Sequence, residues 1–363
     1  MTDERRRILI VKLADLGDVL LCEPAIRSLR AGFPNARIDL LVSPAARQLA
    51  GSLGHDASVR TFPKGLFDDP HALVRPRRLA TATRFTVALR RARYDTVVLL
   101  HHLTTPAGAL KFRALAAATG SRIVAGLDNG RGHFLTHRAP DLGFGRLHDA
   151  EYMLRVAQCV GGADVDPAPR LPRPVGRSEI TIPEPYVTLF PATGAYSRAR
   201  EWPAERFAAV ASALEARGIL PVVVGGDDAT RAAQVIAASA PTTIDLSGRT
   251  TLPQLFPVLA GARAAVGGDT FIGHAAAALG TPVVSIFGPS NRDAWRPYGS
   301  VNFDRANATL TTGLVVYHDL PCEPCIYTGF SLGRPQGCPT RTCLHRVDEA
   351  RVLAAIDRVM EVA

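Results

Sequence analysis

Residues 264–289, AAVGGDTFIGHAAAALGTPVVSIFGP, decide the fold. Ala264 to Val266 is a short apolar run, and Gly267 and Gly268 open a turn. Asp269 and Thr270 stand where a helix N-cap belongs. Phe271 to Leu279 reads as a helix, stopped by Gly280 as its C-cap and by Pro282 just beyond. Val283 to Phe287 then reads as a buried strand. Such a turn aims the free N–H groups and the positive dipole end of a helix at one point, which suits an anion such as a diphosphate. Thr270 can cap the helix or offer its hydroxyl, and His274 lies one turn in, still within reach of the mouth. An ordinary capped β–α turn is the alternative.

The same strand–turn–helix rhythm runs through the chain on both sides of this stretch. In the first half, strands are predicted at Ile8 to Leu13, Arg37 to Val42, Ser58 to Phe62, Asp95 to Leu100 and Arg122 to Gly126. Helices fall between them, with Pro24 expected to kink the first, and Leu79 to Arg93 forms a helix with a basic face. Residues 63–78 read as an irregular loop, and residues 127–146 show no period. In the second half, strands are predicted at Tyr186 to Phe190, Leu220 to Val224 and Thr243 to Leu246. This alternation means repeated βαβ units and parallel sheets. Residues 164–185, DVDPAPRLPRPVGRSEITIPEP, read as a stiff interdomain linker, with the boundary near Gly176. The expected division is 1–175, 176–345 and a terminal amphipathic helix within 346–363.

The length of 363 residues suits two domains, and no apolar run approaches a membrane span, so a cytoplasmic protein is expected. The net charge of +9 is unevenly placed. Residues 1–175 hold 26 Lys and Arg against 16 Asp and Glu, whereas residues 176–363 hold 16 against 17. The first half therefore faces something anionic, such as a phosphorylated glycan or a membrane surface, or has solvated basic helix faces. Nucleic acid is disfavoured, since no binding motif is present and aromatics are 6%.

Ligands of parallel sheets bind outside the carboxyl ends of the strands. Asp18 lies at that end of the first strand, after Gly17, and is placed either to take a proton from a substrate hydroxyl or to cap a helix. His101 and His102 sit at the same edge. In the second half, loops 192–201, 225–228, 247–250 and 267–274 should converge on one edge. Arg198 and Arg200 can clamp phosphate oxygens, and Asp227 or Asp228 can accept ribose hydroxyls. No GxGxxG and no P-loop signature is present. Four of the 6 cysteines, Cys322, Cys325, Cys338 and Cys343, fall in residues 321–343 with the spacing of a tetrathiolate metal site, free thiols being the alternative. Cys22 and Cys159 are expected in helix cores.

KLADLGDVLLCEPAIRSLRAGFPNARI, EWPAERF and GGDTFIGHAAAALGTPVVSIFGPSNRDAWRPYG together resemble glycosyltransferase family 9, the ADP-heptose:lipopolysaccharide heptosyltransferases. The resemblance implies a GT-B fold, two Rossmann-like doubly wound domains with a cleft between them. The first domain would hold the acceptor and the second the nucleotide-sugar. It implies inverting transfer of a heptosyl group from ADP-heptose to a lipopolysaccharide-core-type acceptor, without a catalytic metal. Asp18 matches the family's proposed base. Thr193, Gly194 and Arg200 match the diphosphate loop, with Arg198 able to replace Arg200. Asp269, Thr270, Gly273 and His274 match the diphosphate- and sugar-binding segment, Asp227 or Asp228 the ribose acid, and Thr250 the place of the base. An anionic glycolipid acceptor at the inner membrane face fits the charge asymmetry. Phe271 departs from the glycine usual after Asp-Thr, which puts the sugar in question. A structural zinc or iron on the four cysteines, which some relatives carry, would pin the loop near the cleft. The alternatives are a protein or small-molecule acceptor, another nucleotide-sugar, or a binding protein without transfer. The terminal helix is expected to cross back onto the first domain.

Overall fold

The computed structural model describes residues 6–63, 76–174, 179–194, 196–305 and 313–362. The boundary expected near Gly176, most of the loop at 63–78 and residue 195 of the 192–201 loop lie outside them. Contacts divide the chain into two units: Met1–Gly143 with Asp149–Arg170, and Phe144–His148 with Leu171–Ala363.

In the first unit the strands are β1 (Arg7–Lys12), β2 (Arg37–Val42), β3 (Ser58–Thr61), β4 (Thr96–Leu99), β5 (Ile123–Asp128) and β6 (His137–Pro140). They form a parallel sheet in the order β3-β2-β1-β4-β5-β6. The helices are α1 (Leu16–Leu20), α2 (Glu23–Gly32), α3 (Arg47–Ser52), α4 (Pro76–Ala92), α5 (Pro106–Thr119) and α6 (Asp149–Gln158). β1 is central because RILIVK is apolar on both faces and its last five residues are all buried. The kink expected at Pro24 is a full break: α1 ends at Leu20 and α2 restarts with the proline in its first turn, where its missing N–H costs nothing. Asp18 does not open α1, which starts at Leu16; it lies within that helix's first turn. β6 falls in the stretch that shows no period, since only one of its four residues is buried. Cys22 is buried as expected, but Cys159 is exposed, beyond the end of α6, and is no core residue.

In the second unit the strands are β7 (Tyr186–Phe190), β8 (Leu220–Val223), β9 (Ile244–Asp245), β10 (Ala264–Gly268), β11 (Val283–Ile286), β12 (Val301–Asn302) and β13 (Gly313–Val316). They pair in parallel in the order β12-β13-β11-β10-β7-β8-β9. A small antiparallel hairpin, β14 (Ile326–Thr328) and β15 (Ser331–Gly333), stands apart. The helices are α7 (Ala204–Glu215), α8 (Thr230–Ser239), α9 (Leu252–Ala260), α10 (Phe271–Leu279), α11 (Arg292–Trp295), α12 (Thr342–His345) and α13 (Glu349–Val362).

The expectation that the terminal helix packs on the first domain needs correction. Val352, Ala355, Ile356 and Val359 of α13 are buried in the second unit's own core, beside Val210, Leu214, Val284 and Leu314. The segment EWPAERF fixes this arrangement. Trp202 donates its indole N–H to the carbonyl of Val347 at 2.9 Å, and Arg206 donates to the same carbonyl at 2.7 Å and to that of His345 at 2.9 Å. The apolar stripe of α13 is thereby taken up by the sheet next to it.

Candidate active site

In each sheet the strand order reverses between two neighbours, β1 and β4 in the first, β7 and β10 in the second. Loops leaving these strands part in opposite directions and open a crevice.

In the second unit the crevice depends on two glycines. A Cβ on Gly267 would stand 2.1 Å from Phe190 Cδ2 and 2.3 Å from the Phe190 carbonyl oxygen, so β7 and β10 approach too closely for any side chain there. A Cβ on Gly268 would meet Thr193 Cγ2 at 3.1 Å and the Arg200 carbonyl at 3.2 Å, so the loop after β7 lies across the end of β10. Gly273 differs, since a Cβ there would make only ordinary contacts from 3.5 Å outward. α10 begins with Thr270 at the N-cap in an extended conformation, and its side chain makes no capping hydrogen bond. The first-turn N–H groups, which have no partner within a helix, are left without a side-chain acceptor from the cap. Gly280 ends the helix in the left-handed conformation at φ 88°.

The loops around this helix mouth are tied together. Gly194, at φ 76°, donates its N–H to Asp228 at 3.1 Å, joining the loop after β7 to that after β8. Gly248 donates to the Gly225 carbonyl at 2.9 Å, and Asp227 lies so close that a Cβ on Gly248 would meet its carboxylate at 2.2 Å. Thr250 is half-buried, one residue before the capping box of α9 formed by Thr251 and Gln254. Thr193 is buried and donates its hydroxyl to the Ser197 carbonyl at 2.9 Å. His274 is buried one turn into α10.

Arg200 does something its sequence position does not announce. Its Nη1 donates to the Asp269 carbonyl at 2.8 Å and carboxylate at 3.1 Å, Nη2 to the Thr193 carbonyl at 2.8 Å, and Nε to the Ser197 carbonyl at 3.3 Å. With 13% of its side chain exposed, it clamps the loop after β7 to the mouth of α10. Arg198 is the reverse case, 72% exposed and paired with Glu201 at 3.2 Å. An aromatic group missed by sequence reasoning stands nearby: Tyr196 stacks on Tyr327 at 6.0 Å, and Tyr327 meets Trp295 at 4.2 Å. These three residues lie too far apart in sequence for any spacing rule to join them.

In the first unit, Asp18 sits on α1 with 34% of its side chain exposed, its carboxylate 3.8 Å from Lys12 Nζ. Lys12 is 4% exposed and is a second residue missed, carried inside the strand expected at Ile8 to Leu13. His101 accepts the Leu13 N–H through Nε2 at 2.7 Å, joining the loops after β1 and β4.

All four cysteines of the 321–343 segment line one cavity of about 310 Å³ together with Glu323. Burial, then Glu323, pushes the Cys343 thiol up to about 12, and burial raises Cys325, while Thr340 lowers Cys338. Among the described residues no group of three His, Cys, Asp or Glu could hold a metal ion as placed. The donor chemistry of a tetrathiolate converges on one cavity without forming a ligand set.

A family description of glycosyltransferase family 9 (heptosyltransferase) matches residues 82–308. Lipopolysaccharide heptosyltransferase 1 of Pseudomonas aeruginosa is 28% identical over 330 residues, covering 88% of this chain and 86% of that protein. The structure of an Escherichia coli heptosyltransferase, WaaC, with ADP-2-deoxy-2-fluoro heptose superposes with a TM-score of 0.70 at 19% identity, covering 97% of this chain and 99% of the other. A bacterial iron-containing dodecameric glycosyltransferase, TibC from enterotoxigenic E. coli, gives a TM-score of 0.60 at 15% identity over 99% of this chain and 77% of the other. The two parallel-sheet units together make a GT-B fold.

Proposed function

Because this chain belongs to glycosyltransferase family 9 (heptosyltransferase) and is a glycosyltransferase, we propose that it moves a heptosyl group from ADP-heptose to a hydroxyl of a lipopolysaccharide-core-type acceptor. The observation that carries this reading is the mouth of α10, where a helix N-terminus without a side-chain cap opens at the β7–β10 crevice. The relatives supply the sugar, since the P. aeruginosa protein is a lipopolysaccharide heptosyltransferase and the E. coli enzyme was solved with an ADP-heptose analogue.

In this reading the second unit holds the donor. The N–H groups of α10 and the Thr270 hydroxyl take the diphosphate, with Arg198 free to swing onto it and Arg200 holding the loop, including Thr193 and Gly194, in place. Asp227 accepts the ribose hydroxyls, Thr250 lies by the adenine, and Asp269, Gly273 and His274 border the sugar. The first unit holds the acceptor. Its positive excess is displayed on α4, which has no acidic residue and exposes Arg77, Arg84, Arg90 and Arg91, a surface suited to an anionic glycolipid at the inner membrane face. Among the described residues no helix is long and apolar enough to cross a membrane.

The acceptor hydroxyl gives its proton to Asp18, and its oxygen attacks the anomeric carbon from the face opposite the diphosphate. The carbon–oxygen bond to the diphosphate breaks and the electron pair leaves on the phosphate, so the configuration inverts. Donors already aimed at the growing charge need no reorganisation, which is where most of the rate gain lies. The four cysteines would hold a structural zinc or iron ion, which requires their thiols to give up protons. A second reading keeps the donor and substitutes a protein or small-molecule acceptor; metal bound in the four-cysteine cavity would favour it.

The test combines binding and turnover. ADP and ADP-heptose should raise the melting temperature where UDP and GDP do not. Asp18→Asn should keep that response and lose transfer to a phosphorylated core acceptor by about 10²–10⁴-fold, the usual worth of a general base. Stabilisation by UDP or GDP in place of ADP, or a product of retained anomeric configuration, would overturn the reading.

A further inference from the structure

Behind Asp18 the first unit buries a row of charged side chains. Lys12 Nζ lies 3.5 Å from one carboxylate oxygen of Asp149 and 3.8 Å from Asp18. The other oxygen of Asp149 is 3.2 Å from His102 Nε2, and His102 Nδ1 is 3.0 Å from Asp141. Asp141 also accepts from the Gly143 N–H at 3.0 Å and from Asn129 at 3.2 Å. Side-chain exposure falls from 34% at Asp18 to between 1% and 8% for the other four. The residues come from β1, the loop after β4, the loop after β6 and the start of α6, so the fold gathers them from positions 12 to 149.

We propose that Lys12, Asp149, His102 and Asp141 are positioning residues, a buried ion-pair relay that orients Asp18 and holds a cation beside it. This rests on the reading of Asp18 as the base. Burial works against charge on both cations, yet Asp149 and its neighbours hold Lys12 above its ordinary range, and Asp141 and Asp149 raise His102 to about 9. Both are therefore charged at neutral pH. Asp141 and Asp149 are each held at close range by buried cations, whereas Lys12 leans toward Asp149 and stands farther from Asp18. The cation held beside Asp18 favours its ionised form, which takes the proton of the acceptor hydroxyl. The proton then leaves to water from the exposed end. Three further titratable groups face the relay among the described residues. Tyr152 sets its ring edge-on against His102 at 5.0 Å and is pushed up to about 12 by burial, then by Asp141. Cys22 donates its thiol to the Asp18 carbonyl at 3.3 Å and is pushed up to about 12 by burial. His101 accepts the Leu13 N–H through Nε2, and burial followed by Lys12 and Lys111 keeps it neutral.

The test uses His102→Gln in the full chain, with Lys12→Met and Lys12→Arg beside it. Removing the His102 charge draws Lys12 toward Asp149 and away from Asp18. The acid limb of kcat/KM against pH should then move upward by about one unit, the lower end of what a neighbouring opposite charge supplies. KM for ADP-heptose should stay as in the wild type while kcat falls. Lys12→Met should move the limb the same way, and Lys12→Arg should restore it. Far-UV circular dichroism and calorimetric melting of each variant report whether it is folded, and Asp141→Asn, which leaves the His102 charge to Asp149 and Lys12 to Asp18, replaces any that is not and should move the limb downward. An unmoved acid limb in folded His102→Gln, with Asp18→Asn inactive, overturns the relay and leaves the base intact. Wild-type turnover by Asp18→Asn overturns both.

Discussion

Replacing Arg200 by alanine separates two roles that sequence alone merges. A phosphate-clamping arginine keeps its donors for the ligand, and its loss lowers donor affinity with little effect on the fold. In this structure the guanidinium donates to Ser197, Thr193 and both the carbonyl and the carboxylate of Asp269. Asp269 is 6% exposed, so its charge would be left buried without a cation. Removing one partner of such a buried pair costs about 3–5 kcal/mol. For a unit of this size each kcal/mol shifts the melting temperature by about 2–4 °C, so Arg200→Ala should melt roughly 6–20 °C lower. Arg200→Lys keeps the charge beside Asp269 but not the planar fork, and should fall between. The assay is calorimetric unfolding with and without ADP. A variant that melts with the wild type yet no longer responds to ADP would refute the clamp and return Arg200 to the ligand.

Gly267→Ala places a methyl group into Phe190, ring and backbone together, and should prevent the second sheet from closing; far-UV circular dichroism and soluble yield check it. Asp39 is buried and accepts from Tyr94 at 2.6 Å, Arg60 at 2.6 Å and Arg37 at 3.2 Å. Burial alone would raise its carboxyl, but these donors hold it below its ordinary value. The stability it lends is therefore fully present above about pH 4, the unfolded value, and is lost as pH falls through the lower folded one. Asp39→Asn should melt well below the wild type at neutral pH, with the gap narrowing in acid; a constant gap would contradict this. Metal analysis of the purified chain should find a structural ion that Cys322→Ser with Cys325→Ser removes, lowering the melting temperature. A metal-free wild type would leave the cavity to free thiols.

The glycine turns, the N-cap at Thr270 and the strand ends were legible because each is written in residues close in sequence. Gly267 and Gly268 announce a turn on any reading, and the structure adds why they cannot be replaced: the ring of Phe190 and the carbonyl of Arg200 occupy the space of a side chain. β6 was not legible, because HRAP has neither alternation nor an apolar run, and pairing with β5 alone makes it a strand. The direction of α13 was not legible either. An amphipathic helix states that one face will be covered, but not by what; Trp202 and Arg206, more than a hundred residues earlier, decide it through the carbonyls of Val347 and His345.

The same limit hides what burial does with Lys12 and Arg200. A lysine inside an apolar strand looks like a defect, and an arginine in a loop looks like a ligand-binding group. Burial reverses both impressions. Lys12 is affordable inside the first sheet only because Asp149 and Asp18 face it from α6 and α1, and those carboxylates arrive through topology rather than spacing. Arg200 is drawn inward because the glycines of β10 let its loop lie flat, leaving the carbonyls of Ser197, Thr193 and Asp269 in need of a donor. In both units, then, a charged side chain is committed to the protein first, Lys12 to Asp149 and Asp18 in one, Arg200 to Asp269 and the loop across the end of β10 in the other.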